Sequence, residues 1–398
     1  MGASRHTAHP ALVLFALAVG AFAIGTTEFA SMSLLPFFAR DLGIDAPTAG
    51  HAISAYALGV VAGAPVIAAF GARLPRRTLL IGLMAMFAVA NGLSALSPSY
   101  HWLLLFRFLS GLPHGAYFGV AALVAANLVP IEKRTLAMAQ VMSGLTVATV
   151  IGVPVANWMG QVLGWRSGFF VVAALAVATM TLVALYAPRD AGDAKASPMR
   201  ELTALSRLQV WLTLLTGAVG FGGMFAVYTY VASTMIDVTH VSETYVPLIL
   251  VIFGVGLTLG SLVAAWAADR ALNRTVIGVL LWSAAALALF PLMAGNIWTL
   301  GLNIFLIGIG GGLGTPLQAR LMDVAGDAQT LAAALHHSAF NVANAIGPWL
   351  GGLSIAAGYG LVSTGWIGCA LALGGLAVFV LAITLERRQS QLVPMAAE

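Results

Sequence analysis

The feature that most constrains this chain is a series of apolar runs, each about 20 residues long and separated from the next by a short polar segment. A run of about 20 apolar residues spans the roughly 30 Å hydrocarbon core of a bilayer as one α-helix. The composition agrees, because 60% of the residues are hydrophobic and only 8% are charged. The sequence therefore predicts an all-α membrane protein. Twelve spans are expected, near residues 11–35, 47–70, 78–98, 102–128, 135–160, 166–187, 209–232, 245–267, 275–295, 298–320, 331–357 and 360–384.

The first run follows Arg5 and has an alternative interpretation as a secretory signal peptide. It continues past residue 30, which is long for the apolar part of a signal peptide, and further apolar runs follow it along the whole chain. We therefore expect it to be the first membrane span. No stretch of sequence is left over for a separate soluble domain.

Lysines and arginines are distributed unequally between the two sides that these spans define. Of the 18 in the chain, only Arg40 and Arg166 fall on the side opposite the termini, and Arg107 lies inside a span. Short cytoplasmic loops carry an excess of basic residues. The distribution predicts that both termini are cytoplasmic and that the protein crosses the cell inner membrane many times. It also argues against a nucleic-acid partner, because the basic residues are scattered instead of forming one patch.

The chain divides near its middle at its longest polar stretch, residues 187–207. Features on either side recur at nearly one offset, which indicates a duplicated six-helix unit. Arg-rich turns alone occur in any cytoplasmic loop, so the inference depends on three concordant pairs. We expect two pseudo-symmetric six-helix bundles, residues 1–187 and 208–398, joined by a cytoplasmic linker at 188–207. The pairs are "ARLPRRT" at 72–78 with "DRALNRT" at 269–275, Trp102 with Trp298, and "GVP" at 152–154 with "IGP" at 346–348.

Ionisable residues inside the spans are few, and each is a candidate for function. A charge at the centre of a bilayer costs about 2.5–3.5 kcal/mol on insertion scales, so such residues are functional candidates by default. Glu28 is the acidic residue well inside a predicted span, Arg107 is the basic one, and His114 lies near a midplane. The alternatives are that Arg107 reaches out to the membrane surface and that His114 only bonds a neighbouring helix.

The fourth span has a sequence that predicts both a bend and a close helix contact. Arg107 and His114 share one face with Gly111 and Phe118, because these positions follow the i, i+4, i+7, i+11 spacing. Gly111, Gly115 and Gly119 form a series of small residues that lets a neighbouring helix approach. Pro113 frees a backbone carbonyl and is expected to bend the helix at the same level.

Four motifs stand out within the spans: "AIGTTEF" at 23–29, "RFLSGLPHGAYFGVAALVAA" at 107–126, "GLTVATVIGVPVANWMGQVLGWR" at 144–166 and "AFNVANAIGPWLGG" at 339–352. Together they resemble the drug/proton antiporter branch of the major facilitator superfamily, especially its arabinose, purine and chloramphenicol efflux-like members. The resemblance implies a cavity lined by spans one, four, seven and ten, and Arg107 matches the branch's buried arginine in span four. Glu28 is then expected to be its partner in proton coupling.

The loop after span two departs from the family pattern. Ala72 stands where the family usually has an acidic residue, whereas Asp269 and Arg270 keep the pattern after span eight. The second loop is therefore the better candidate for a charge-pair gate. The candidate gating residues are Arg73, Arg77, Asp269 and Arg270.

A mostly apolar pocket with a few polar anchors is typical of a site for small organic molecules. Spans seven, ten and eleven offer aromatic rings and amides, including Asn344, although aromatic residues in helix bundles are more often packing. The candidate substrate contacts are Thr27, His114, Tyr117, Phe225, Tyr228, Tyr230, Asn303 and Asn341. The charges of Glu28 and Arg107 cancel, which favours neutral or weakly charged substrates.

The leading interpretation is a proton-coupled antiporter that exports small organic molecules such as drugs, sugars or purine-like compounds. A proton-coupled importer of a sugar or nutrient and a membrane sensor are the alternatives. An enzyme is disfavoured, because the chain has no nucleotide motif or catalytic triad, and the glycine run at 308–314 lacks the Lys-Ser or Lys-Thr of a phosphate loop. The single cysteine, Cys369, excludes an internal disulfide, and no metal or cofactor is expected. The expected partners are a small-molecule substrate, protons and the lipid bilayer, with the protein as a monomer.

Overall fold

The computed structural model describes residues 9–71, 74–130, 133–190, 206–325 and 329–392, and these form twelve long helices with no strand among them. Nine helical stretches have the length and hydropathy of a membrane span, and one of them, Glu243–Met293, contains two helices. Two further helices of 26 residues complete the set. The predicted all-α fold of twelve spans is confirmed. The helices are α1 (Pro10–Ser33), α2 (Ala46–Gly71), α3 (Arg76–Ala95), α4 (Tyr100–Gly111 and His114–Asn127), α5 (Arg134–Val147 and Val153–Leu163), α6 (Arg166–Tyr186), α7 (Leu208–Gly220 and Gly222–Asp237), α8 and α9 (the two parts of Val246–Met293), α10 (Ile297–Gly310 and Gly314–Ala325), α11 (Gln329–Ser354) and α12 (Ser363–Leu392).

Helices α8 and α9 meet at Ala271, where φ is −157° and ψ is 71°. Ala271 is the position with non-helical backbone angles inside Val246–Met293, and the chain turns there. We call the side of the bundle where α1 begins the inner side and the opposite side the outer side. With this definition, α8 runs inward and α9 runs outward.

Helices α4, α7 and α10 are each interrupted near their middle. The break in α4 lies at Leu112 and Pro113, as the proline predicted, because proline has no N–H to donate to the preceding turn. The break in α7 lies at Phe221 between two glycines, and α10 narrows to a 3₁₀ turn at Gly311–Leu313. Interrupted helices in membranes occur where neighbouring protein satisfies the freed backbone groups.

The two halves repeat the same close helix contacts at an offset of 197 residues. In the first half a Cβ at Gly111 would overlap the backbone oxygen of Tyr56, and in the second half a Cβ at Gly308 would overlap that of Phe253. The contact of Gly59 with the Phe108 oxygen recurs in the same way as that of Gly256 with the Phe305 oxygen. The predicted pseudo-symmetry is therefore visible in the packing of α2 on α4 and of α8 on α10.

The outer half of the bundle holds polar contacts between the two halves. Ser54 Oγ on α2 donates to the Ala345 oxygen on α11 at 2.9 Å. At the outer surface Arg40 pairs with Glu243, and Gln161 Nε2 donates to the Glu243 oxygen at 2.8 Å. These contacts close the outer end of the bundle.

A short helix, Leu35–Leu42, follows α1 on the outer surface and is anchored to α6 by Asp41. The Asp41 carboxylate accepts from Trp165 Nε1 at 3.0 Å and from Arg166 Nη1 at 2.5 Å. The hydrogen bond from Trp165 and the one from Arg166 hold the pKa of Asp41 below its usual value. This carboxylate is therefore charged at neutral pH and fixes the short helix in place.

Candidate functional site

Arg107 lies inside the first half and is held by hydroxyl groups. Its side chain is buried, and Nη1 donates to Thr27 Oγ1 at 3.2 Å while Nη2 donates to Ser31 Oγ at 3.2 Å. Nη1 also approaches Ser110 Oγ at 3.4 Å, and Nε has no partner within the described residues. The arginine does not reach the membrane surface. Thr27 and Ser31 lie one turn apart on α1, so they present two acceptors to one guanidinium.

Two aromatic rings face the guanidinium of Arg107. Its Cζ lies 4.3 Å from the centre of the Tyr56 ring on α2 and 5.3 Å from that of Phe169 on α6. A guanidinium over an aromatic face is attracted by the ring quadrupole, and the attraction is stronger away from water. Hydroxyls and aromatic rings thus hold Arg107 in place without neutralising its positive charge.

Glu28 faces the other half of the molecule. Successive helix residues are rotated by about 100°, so Glu28 points away from the α4 side to which its neighbour Thr27 turns. Its carboxylate is buried, and Oε1 accepts from Asn344 Nδ2 on α11 at 3.1 Å. Within the described residues Glu28 and Arg107 form no direct ion pair, although they are close enough for their charges to interact. The two groups expected to be partners therefore lie near each other but bind different side chains.

His114 lies two turns beyond Arg107 along α4, towards the inner side. Its Nδ1 lies 2.8 Å from the Tyr56 hydroxyl, so it supports the ring that faces Arg107. Its own ring lies 5.2 Å from that of Phe118. Phe118 in turn stacks on His337 of α11, with ring centres 5.4 Å apart and planes within 5°. The row of rings that starts at His114 therefore crosses between the halves.

Phe225 and Tyr228 lie at the contact between α7 and α1. Their ring centres are 6.1 Å and 5.7 Å from that of Phe29, the residue next to Glu28. Phe225 also contacts Phe340 of α11 at 4.9 Å, edge to face. The structure thus brings these two predicted residues together at Phe29, the chain neighbour of Glu28.

Tyr117 and Tyr230 lie apart from the aromatic contact that Phe225 and Tyr228 make with Phe29. The Tyr117 hydroxyl donates to the Leu17 oxygen at 2.8 Å, and the ring lies inside the first bundle. The Tyr230 hydroxyl donates to the Pro348 oxygen at 2.8 Å, and the side chain fills the outer contact between Gly50 and Gly352. Tyr230 therefore packs at the outer contact between the halves.

The remaining polar candidates are bonded within their own halves. Thr27 Oγ1 donates to Asn91 Oδ1 on α3 at 2.8 Å in addition to accepting from Arg107. Asn303 Nδ2 donates to the Ala286 oxygen at 2.8 Å, and Asn341 Nδ2 donates to a backbone oxygen one turn earlier on α11. The Oδ1 atoms of both asparagines are buried without a partner in the described part of the chain. Each therefore keeps one free acceptor.

Three of the expected gating residues, Arg77, Asp269 and Arg270, lie on the inner surface. Arg73 lies outside the described residues. Arg77 donates from its side chain to the Ala184 oxygen on α6, and its backbone N–H donates to Asp190 at 3.4 Å. Arg270 lies over the ring of Trp266, 4.0 Å from its centre.

Asp269 is exposed, and no ion pair to it occurs among the residues that the structure describes. Asp190 also accepts from the backbone N–H of Arg76 at 2.9 Å. An acidic group therefore stands at the start of α3 although Ala72 lacks one, and it comes from the beginning of the linker between the halves. Sequence reasoning missed Asp190 because it lies over 100 residues away from its partners.

Sequence reasoning also missed Tyr56, Ser31 and Asn91 as neighbours of Arg107. Each is a polar residue inside an apolar span, which is a usable signal, but spacing within one helix does not show which polar residues on other helices converge. No group of three or more His, Cys, Asp or Glu residues suited to a metal occurs in the described ranges.

Comparisons with known proteins identify relatives over almost the whole chain. A family model described as Major Facilitator Superfamily matches residues 17–238 and 212–398. The chain is 39% identical over 384 residues to the inner membrane transport protein YdhP of Escherichia coli (strain K12), covering 96% of this chain and 98% of YdhP. It is 37% identical over 347 residues to a chloramphenicol resistance protein of Streptomyces lividans, covering 85% and 87% of the two chains.

A solved structure shares the fold. It is that of a bacterial homologue of the human lysosomal transporter Spinster, in an inward-facing and unoccupied conformation, with a TM-score of 0.76. The two chains are 14% identical, and the match covers 96% of this chain and 98% of that one. At this identity the likeness concerns the fold alone.

Proposed function

The chain belongs to the major facilitator superfamily, as its motifs predicted, and we propose that it is a proton-coupled antiporter that exports small organic molecules. It is a multi-pass membrane transporter with efflux-type relatives, among them the one named for chloramphenicol resistance. That relative supports export as the direction of transport. A proton-coupled importer would have the same fold, and the direction of transport separates the two.

One observation carries the proposal, which is the buried carboxyl of Glu28 at the contact between the halves. Transport against a gradient needs a group that gains and loses a proton inside the membrane. Burial favours the neutral carboxyl, whereas the nearby Arg107 favours the carboxylate, so the two effects oppose each other. A group in this balance responds to small changes in water access. We assign it the role of proton carrier.

Arg107 serves as the fixed positive charge in this proposal. Its partners are neutral hydroxyls and rings, so no carboxylate within the described residues neutralises it. Its charge therefore remains available to Glu28 when the proton leaves. Arg107 and Glu28 together make the centre electrically neutral, which suits neutral or weakly charged substrates.

The proposed substrate site is the aromatic contact between α1, α7 and α11. Phe225 and Tyr228 supply flat apolar surface, and Asn341 on α11 supplies a free acceptor. Asn303 offers a second free acceptor from α10. Such a site has few polar anchors in a mostly apolar lining. His114, in the first half, is connected to α11 by the ring contacts of Phe118 with His114 and with His337.

The proposal includes an orientation and a gate. The count of basic residues supports cytoplasmic termini, with the inner side of the bundle facing the cytoplasm. The gate is assigned to Asp269 and Arg270, which are exposed on the inner side and are therefore free to pair in another access state. The protein is proposed to work as a monomer.

The test of this function is Glu28→Gln in inverted membrane vesicles. The substitution keeps the shape of the side chain and removes its titration, so accumulation driven by a pH gradient should fall to background while downhill exchange persists. The substrate is chosen by a thermal-shift screen of chloramphenicol-like, sugar and purine-like compounds. The control is Asp237→Asn at the exposed outer end of α7, which should accumulate substrate like the unmodified protein. Uphill transport by the Glu28→Gln protein would overturn the assignment.

A further inference from the structure

The hydrogen bond between Glu28 and Asn344 joins the two halves of the molecule. Glu28 lies on α1 and Asn344 on α11, with Nδ2 donating to Oε1 at 3.1 Å. Both side chains are buried, with exposures of 2% and 0%. The bond lies in the outer half of both helices, so the outer side cannot open without breaking it.

Only the Nδ2 group of the Asn344 amide forms a hydrogen bond within the described residues. Its Oδ1 is buried and has no hydrogen-bond partner among the described residues. A buried acceptor without a donor costs free energy. A neighbouring side chain that gains a proton and donates it in a hydrogen bond to this acceptor therefore stabilises the contact. A carboxylate only accepts hydrogen bonds, but a protonated carboxyl carries one O–H donor.

Protonated Glu28 can therefore satisfy both ends of the Asn344 amide. The carboxyl oxygen accepts from Nδ2, and the carboxyl O–H donates to Oδ1, which closes a ring of two hydrogen bonds. Deprotonation removes the second bond and leaves Oδ1 without a donor. The strength of this contact between the halves thus depends on one proton.

The surroundings of Glu28 also contain one group that favours its deprotonated form and so opposes the second hydrogen bond to Asn344. Arg107 on α4 attracts the carboxylate, and Tyr56 on α2 lies against Arg107 with its hydroxyl bonded to His114. On the α7 side the neighbours Phe225 and Tyr228 pack on Phe29. The one charged partner of the carboxylate is therefore in the first half, whereas its amide partner is in the second.

We propose that Asn344 is the positioning residue that couples protonation of Glu28 to closure of the outer side. With a proton on Glu28, two hydrogen bonds hold α1 to α11 and the outer side stays closed. Without it, one bond is lost, the carboxylate is drawn towards Arg107 and the halves can separate. This inference rests on the proposed function, because it requires Glu28 to be the proton carrier.

The test measures the outer distance between the halves at several pH values, without any substrate. Nitroxide labels are attached in liposomes at Leu96→Cys and Tyr359→Cys, two exposed outer positions in different halves, in a Cys369→Ala background. In the otherwise unmodified protein the ratio of closed to open outer side should rise by about tenfold from alkaline to acid pH, the factor of one buried hydrogen bond.

Asn344→Leu should remove this pH dependence, leaving less than about a twofold change, because it deletes both ends of the amide. Asn344→Gln keeps both ends and should keep a pH dependence with a shifted midpoint. The matched control is Thr364→Val, a buried polar residue of the same half whose hydroxyl donates only to the Leu361 oxygen one turn earlier. It should titrate like the parent protein.

Glu28→Gln supplies the decisive comparison. Its amide can donate to Oδ1 and accept from Nδ2 of Asn344, so at every pH it should keep the ratio of closed to open outer side that the parent protein has at acid pH. The double variant Glu28→Gln with Asn344→Leu should lose that closure, because the two effects act through one contact.

The outcomes separate the two proposals. A parental pH dependence in Asn344→Leu would overturn the role of Asn344, even if Glu28→Gln abolishes uphill transport. A parental pH dependence in Glu28→Gln, together with retained uphill transport, would instead remove Glu28 as the proton carrier.

Discussion

Arg107 and His114, two polar groups on one helix, have partners that explain why a membrane span tolerates them. The hydroxyls of Thr27 and Ser31 accept from the guanidinium, and the ring of Tyr56 lies between the two groups on α4. Tyr56 therefore does two things, since its face supports Arg107 and its hydroxyl bonds His114. These two contributions can be separated by substitution.

Tyr56→Phe should destabilise the protein without abolishing transport. The ring beneath Arg107 is kept, while His114 Nδ1 loses its partner in a buried place, which costs about 1–3 kcal/mol. Tyr56→Leu removes the ring as well and should also lower transport driven by a pH gradient. Thermal unfolding in detergent and uptake into vesicles measure the two effects. Loss of transport in Tyr56→Phe at unchanged stability would show that the hydroxyl itself takes part in transport.

Helix α4 shows how an element of the fold places these residues. Its series of three glycines is not uniform, because Gly111 and Gly115 lie against α2 whereas a Cβ at Gly119 would meet nothing within 4 Å. The close approach at Gly111 is what brings Tyr56 to Arg107. Gly119 lies beyond this contact, so only two of the three glycines serve the predicted approach.

Gly111→Ala and Gly119→Ala should therefore have opposite effects on stability. The first forces a methyl group into the Tyr56 backbone and should cost about 1–3 kcal/mol by overpacking. The second fills open space and should be neutral or stabilising by up to about 1 kcal/mol, because alanine favours helix. Unfolding in detergent measures both, and equal destabilisation by the two would contradict the packing of α2 on α4.

At the scale of the whole molecule, the outer surface carries a charge pair between the halves. Arg40 follows α1 in the first half, and Glu243 precedes α8 in the second. An exposed pair contributes at most about 1 kcal/mol, which changes a two-state ratio by roughly fivefold. That is enough to bias the outer closure without locking it, so the pair suits a gate that must open in each cycle.

Arg40→Glu and Glu243→Arg should each lower the ratio of closed to open outer side by up to about fivefold, and the double exchange should restore it. The same outer nitroxide pair measures this at constant pH. The control is His101→Glu, which adds a negative charge on the same surface at the exposed start of α4, inside one half. It should leave the distance between the halves unchanged. Failure of the double exchange to restore closure would exclude a direct electrostatic gate.

The sequence by itself determined the number of helices, the two halves and the buried ionisable residues. Hydropathy along about 20 residues is a local property, so the spans could be read without knowing their neighbours. The offset of 197 residues was equally visible in short motifs, and the glycine contacts repeat it. The cost of a charge in lipid singled out Glu28 and Arg107 before any contact was known.

The tertiary structure alone decided which groups these residues bind. A span that is apolar on every side does not show in its sequence which face turns to a neighbour, because lipid and protein interior are equally apolar. The pairing of Glu28 with Asn344, the inward turn of Tyr117 and the outer position of Tyr230 all depend on helix rotation. Rotation is set by side-chain packing between helices distant in sequence, and for that reason only the folded structure contains it.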